Sequence, residues 1–226
     1  MASTSPTRHF CNSALVTSPD TPAEIAAFIT RRDRSFRPIV NEVGPPPLRA
    51  RPAPVTQRYP DLVRSITSQL LATTAADTIH RRVVETCGGV VSAQSILSAG
   101  TQNLRDAGLN RVKAQAMVDL AQDVLNERIR LAAHGRMSDE QIVADVASVR
   151  GIGPWTAHMY LIFTMGRRDV WPTGDFAVRS GWSLVHHLDE ALSERQMKIE
   201  GDRFAGVRTA VAWYCWQAVH LHRQAK

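Results

Sequence analysis

The run Val149-Arg150-Gly151-Ile152-Gly153-Pro154-Trp155-Thr156-Ala157 constrains this chain more than any other stretch. An apolar residue, two glycines one apart, a proline and a helical run describe two helices joined by a tight turn. Glycine at 151 and 153 permits positive φ and leaves no Cβ between the backbone and an approaching ligand. Pro154 suits the first turn of a helix, where its missing N–H costs nothing. The free N–H groups of that helix start would point outward, a cradle for a phosphate. Taken alone, a G-x-G turn serves equally well as an ordinary corner between helices.

Helical spacing continues on both sides. Leu62, Ile66 and Leu70 recur every four residues, Ile79 and Val83 follow, and Gly88-Gly89 stops the pattern. Met117, Leu120, Val124, Leu125 and Ile129 draw one apolar stripe. Ser138 is placed to cap a short helix through Val146. Further helices are expected from near Pro154 to about Thr164, from Asp175 to about Leu188, and from Gly206 onward. Before them, Thr21 or Pro22 opens a helical segment, AEIAAFITRRDRSFRPIVNEV. The run PPPLRARPAP that follows has five prolines in residues 45–54 and reads as a stiff crossing strap. Residues 1–21, rich in Ser and Thr, read as a mobile tail. No run alternates long enough for a strand, so the expected class is all-α.

Composition excludes several function classes. An apolar fraction of 44% with 21% charged residues is that of a folded globular chain. No apolar run approaches the ~18 residues of a membrane span, and no basic-then-apolar leader is expected at the start. Cys11, Cys87 and Cys215 are too few and too scattered for a disulfide framework. A net charge of +6 suits a polyanion, nucleic acid first. The eight histidines hold no HExxH pair, so no metal site is indicated.

Three segments in order, LRDAGLNRVKAQAMVDLA (104–121), VRGIGPWTAHMYLIF (149–163) and DVWPTGDFAVR (169–179), carry a resemblance. Together they resemble the helix-hairpin-helix, Gly/Pro-Asp superfamily of DNA base-excision glycosylases, and within it the AlkA-like 3-methyladenine DNA glycosylases in their compact form. The likeness covers roughly residues 58–222. It implies two helical subdomains flanking a DNA-binding cleft: 22–57 with 169–226, and 58–168 as a barrel-like bundle. The helix-hairpin-helix would span about 139–164.

The same resemblance implies roles for particular residues. Gly151, Gly153 and Thr156 would meet a DNA phosphate, and the carbonyls of Ala147, Val149 and Ile152 would hold a monovalent cation, sodium or potassium. Arg150, Arg111 and Lys113 could add charge, or simply face solvent. Asp175 falls on the position of the family's catalytic aspartate, although its place at a helix start equally suits an N-cap. Trp155 and Trp216 would line the base pocket, with Met159 where a tyrosine is common and Tyr160 beside it. Gln69 and Leu70 match the wedge that fills the vacated stack; Leu70 alone also reads as core.

Chemistry supports one carboxylate. Breaking an N-glycosidic bond develops positive charge on the sugar, and an ionised Asp175 would stabilise it and orient water. Trp155 stands where bifunctional relatives carry a Schiff-base lysine, so hydrolysis without strand cutting is expected. The four-cysteine cluster of other relatives is missing, so no further cofactor is expected. The partner expected is double-stranded DNA with alkylated bases such as 3-methyladenine and 7-methylguanine. The protein is expected to act as a monomer and, if bacterial, in the cytoplasm, associated with the nucleoid through DNA. The competing expectations are a glycosylase for deaminated or oxidised bases and a non-catalytic lesion sensor.

Overall fold

The computed structural model describes residues 19–49 and 51–225, and every regular element among them is helical. The α-helices are α1 (Pro22–Arg32), α2 (Arg37–Val43), α3 (Val55–Ser68), α4 (Thr73–Thr86), α5 (Ala93–Asp106), α6 (Arg111–Leu125), α7 (Asp139–Ala147), α8 (Pro154–Met159), α9 (Phe176–His186), α10 (Glu194–Gly201) and α11 (Arg208–Gln224). The all-α expectation is met. No described helix is long and apolar enough to cross a membrane.

Local chemistry sets the helix ends. Thr21 caps α1 in a reciprocal box with Glu24, and Ser138 caps α7 in the same way with Gln141. The segment expected as one helix from Pro22 to Val43 is divided, because Asp33 accepts the Ser35 N–H and starts a 3-10 turn before α2. Of the expected tail, residues 1–18 lie outside the described residues. Residues 19–21 are engaged, with Arg168 donating to the Pro19 carbonyl and to Asp20.

Two apolar clusters fill the interior. One gathers side chains between Tyr59 and Val170; the other joins α1 and α2 to α9 and α11 around Phe36, Trp182, Phe204 and Tyr214. Trp216 packs against both. The proline-rich segment is irregular, as expected of a strap, and Ala53 N–H donates to the Thr164 carbonyl at 2.7 Å. α9 and α11 approach closely because residue 181 is glycine. A Cβ there would stand 1.9 Å from the Cys215 carbonyl oxygen. That closeness holds Trp216, the next residue of α11, beside the start of α9.

Two details of the backbone shape the site. α8 passes into one π-helical turn, Tyr160–Thr164, a geometry that recurs at functional positions. The stripe of α3 ends at Ile66. Leu70, expected as either core or wedge, lies beyond the helix, fully exposed and at φ 55°. A leucine held left-handed costs about 1–2 kcal/mol and gains nothing here from burial.

Two stability outcomes follow. Gly181→Ala should gain up to about 1 kcal/mol of helix propensity if its surroundings were open. Instead it should lose about 3 kcal/mol or more to the clash with α11, read as a lowered midpoint in denaturant. Leu70→Gly should leave the melting temperature unchanged or raised, since glycine takes positive φ freely; a clear drop would show that Leu70 is packed.

Candidate active site at the junction of the two clusters

Asp175 is the N-cap of α9 and also the centre of the site. Its Oδ1 accepts the Val178 N–H at 2.9 Å and the Trp216 indole N–H at 3.3 Å; its Oδ2 accepts the Trp155 indole N–H at 2.7 Å. The sequence left capping and chemistry as alternatives. The geometry combines them, because a carboxylate has about four lone-pair sites and three are occupied. At 8% exposure, Asp175 lines a groove of about 820 Å³ between α7 and α8 on one side and residues 169–175 with α10 on the other. Elsewhere in this groove, burial pushes the Asp139 carboxyl up despite Arg167, and pushes the His158 imidazole down.

The two indoles differ in their setting. Trp155 leads α8 and Trp216 comes from the middle of α11, so Asp175 receives donors from both clusters. Phe163, on the π-helical turn, stacks on Trp216 with centroids 5.7 Å apart and planes 27° apart. It is 53% exposed. Nothing in the apolar run YLIF marked this residue in the sequence; it lies on the π-helical turn, outside the core. Phe176, next to Asp175, is also exposed.

Met159 and Tyr160 part company. Met159 sits one turn on from Trp155 and is buried in the first cluster. Tyr160, expected in the base pocket, is fully buried, and its hydroxyl pairs with His134 Nδ1 at 3.1 Å. Consecutive helical residues point about 100° apart, so sequence adjacency does not bring Tyr160 to the pocket. Burial pushes its phenol up. His134 Nε2 reaches Asp145 of α7 at 2.7 Å, which ties the two hairpin helices together.

The hairpin has one glycine of each expected kind. Gly151 takes φ 87° and presses on α6, where a Cβ would lie 3.1 Å from that of Ala116. Gly153 is not left-handed, with φ −102°, and a Cβ there would meet nothing within 4 Å. Its value is an open face, not backbone freedom. Among the described residues, no backbone hydrogen bond uses the N–H of Gly151 or Gly153. Thr156 departs from its expected place at a phosphate: it is buried, its N–H donates to Gly153 and its hydroxyl accepts from Gln69 Nε2 at 2.8 Å. Gln69 also donates to the Gly151 carbonyl, so its amide turns to the hairpin. Arg111 and Arg150 are exposed, whereas Lys113 is buried against backbone carbonyls.

For a cation, the carbonyls of Ala147, Val149 and Ile152 lie on the turn; that of Val149 also accepts the Ile152 N–H at 3.0 Å. A carbonyl oxygen has two lone pairs, so this bond leaves one on Val149 unused. No group of three or more His, Cys, Asp or Glu side chains among the described residues could hold a metal. Cys87 and Cys215 are free and buried.

Known proteins resemble this chain in sequence and fold. The chain is 27% identical over 198 residues to the alkylbase DNA glycosidase-like protein mag2 of Schizosaccharomyces pombe, covering 86% of this chain and 92% of that one. It is 28% identical over 166 residues to DNA-3-methyladenine glycosylase 1 of the same yeast, covering 72% and 73%. The solved structure of S. pombe 3-methyladenine DNA glycosylase (Mag1) in complex with abasic DNA superposes with a TM-score of 0.77 at 26% identity, covering 86% of this chain and 95% of that one. Residues 63–204 match the model of the HhH-GPD superfamily base excision DNA repair proteins. With the hairpin, the aspartate and this match spanning more than half its length, the chain belongs to the HhH-GPD superfamily.

Proposed function

We propose that this protein is a monofunctional DNA glycosylase that hydrolyses the N-glycosidic bond of alkylated purines turned out of duplex DNA. The observation that carries the reading is the Asp175 carboxylate, held at the junction by Trp155 and Trp216 with coordination to spare. The names and DNA complex of the relatives support it.

In this reading the hairpin N–H groups of Gly151 and Gly153 take a phosphate, a contact blind to sequence. The carbonyls of Ala147, Val149 and Ile152 would hold a monovalent cation that adds positive charge there. Leu70 enters the stack and offsets part of the unstacking cost, a few kcal/mol. The extruded base enters against Trp155, Trp216 and Phe163, whose π faces favour a cationic alkylpurine by ~0.5–2 kcal/mol per contact. As the bond to the base breaks, the base takes the electron pair and positive charge spreads over C1′ and the ring oxygen. Asp175 stabilises that charge and accepts the proton of the attacking water. A base already cationic leaves without a separate acid. No lysine stands in the segment 149–165 to form a Schiff base, so the abasic strand stays uncut.

Asp175→Asn tests the chemistry. Asparagine keeps the cap through its oxygen, but its NH2 replaces the Oδ2 that accepts the Trp155 N–H, so stability should fall by about 1–3 kcal/mol while affinity for duplex DNA with an abasic-site analogue should hold. Release of 7-methylguanine and 3-methyladenine from alkylated duplex should fall roughly 10²-fold or more. If the parent protein binds this DNA and releases no base, the lesion-sensor reading replaces the enzyme.

Met159 tests the pocket. A flexible thioether discriminates less than a ring, so Met159→Tyr should reorder the excision rates of a panel of alkylated, deaminated and oxidised bases. An unchanged ranking removes Met159 from specificity.

A further inference from the structure

Lys113 occupies the third position of α6, the first turn of a helix whose N-terminus repels a cation. It is 7% exposed, and no carboxylate among the described residues pairs with it. Burial pushes its ammonium down. An unpaired, buried cation at the wrong end of a helix is costly. Its contacts are specific: Nζ donates to the Thr67 carbonyl at 2.9 Å and to the Gln69 carbonyl at 2.5 Å.

Those two oxygens flank the end of α3, where carbonyls lack helical partners. The next residue is Leu70, fully exposed and left-handed. Gln69 is therefore held at both ends, its carbonyl by Lys113 and its amide by the Gly151 carbonyl and the Thr156 hydroxyl. The same helix supports the hairpin directly, since Gly151 packs on Val112 and Ala116. One helix start thus props both the exposed leucine and the turn expected at the phosphate.

We propose that Lys113 is a positioning residue that clamps the 67–70 turn in its left-handed form, so that Leu70 stands ready to fill the stack behind an extruded nucleotide. This rests on the glycosylase reading and adds a requirement to it. Lys113 touches neither base nor sugar; it acts through Leu70.

The test is a double-mutant cycle on single-turnover release of 7-methylguanine, with Lys113→Met, Leu70→Ala and the pair. Each single change should slow release from duplex DNA roughly ten- to a hundredfold, the scale of a 1 Å misplacement. The pair should be no slower than the slower single. On a single-stranded oligonucleotide, where no stack needs filling, Lys113→Met should match the parent. Multiplying effects, equal loss on single strands, or undiminished release from duplex would each overturn the proposal. Should Lys113→Met fail to fold, Lys113→Gln carries the same cycle; if neither folds, the lysine serves the fold and the proposal falls. A parent that releases no base removes the glycosylase reading itself, whereas an active parent with indifferent variants removes only this inference.

Discussion

A carboxylate taken out of water must be met by hydrogen-bond donors or it will not stay there. Asp175 meets that demand with donors from three helices. The Val178 N–H comes from its own helix, the Trp155 indole from the hairpin, and the Trp216 indole from α11. The two indoles belong to elements that pack on different apolar clusters, so the acid can be satisfied only when both are assembled. The close approach at Gly181, which brings α11 to the start of α9, serves the same end. Site and junction are one construction.

The half around the hairpin is built on a similar economy. α6 presses on Gly151 from beneath and, through Lys113, holds the carbonyls before Leu70. Gln69 closes the circuit to Thr156 and Gly151. The cost is visible: a left-handed leucine without burial and an ammonium with no counterion among the described residues. Strain of this sort persists only where surrounding contacts over-determine it, and it collects at functional positions. His134 completes the support by joining α7 to the π-helical turn through Asp145 and Tyr160.

What could be read along the chain was local. Capping by Thr21 and Ser138, the proline strap and the absence of strands depend on neighbours a few residues away. One sequence pattern can have two spatial meanings. Leu70 continues a four-residue stripe, yet the helix stops at Ser68. Tyr160 sits next to Met159 in sequence but in the interior in space. Thr156 and Lys113, both polar beside a glycine-rich turn, face inward to partners 44 to 87 residues away. Phe163 had no signal, because an aromatic in an apolar run reads as core.

By itself, then, the order of residues determined an all-helical chain with a hairpin at Gly151-Ile152-Gly153 and an acid at a helix start, since periodicity and capping act over single turns. Only the tertiary structure decided which groups the acid meets, which glycine needs positive φ, and that one leucine stands clear of the core. Those outcomes depend on contacts between residues far apart in the chain. Such contacts are set by how two apolar clusters close on each other, and no short window of sequence contains them.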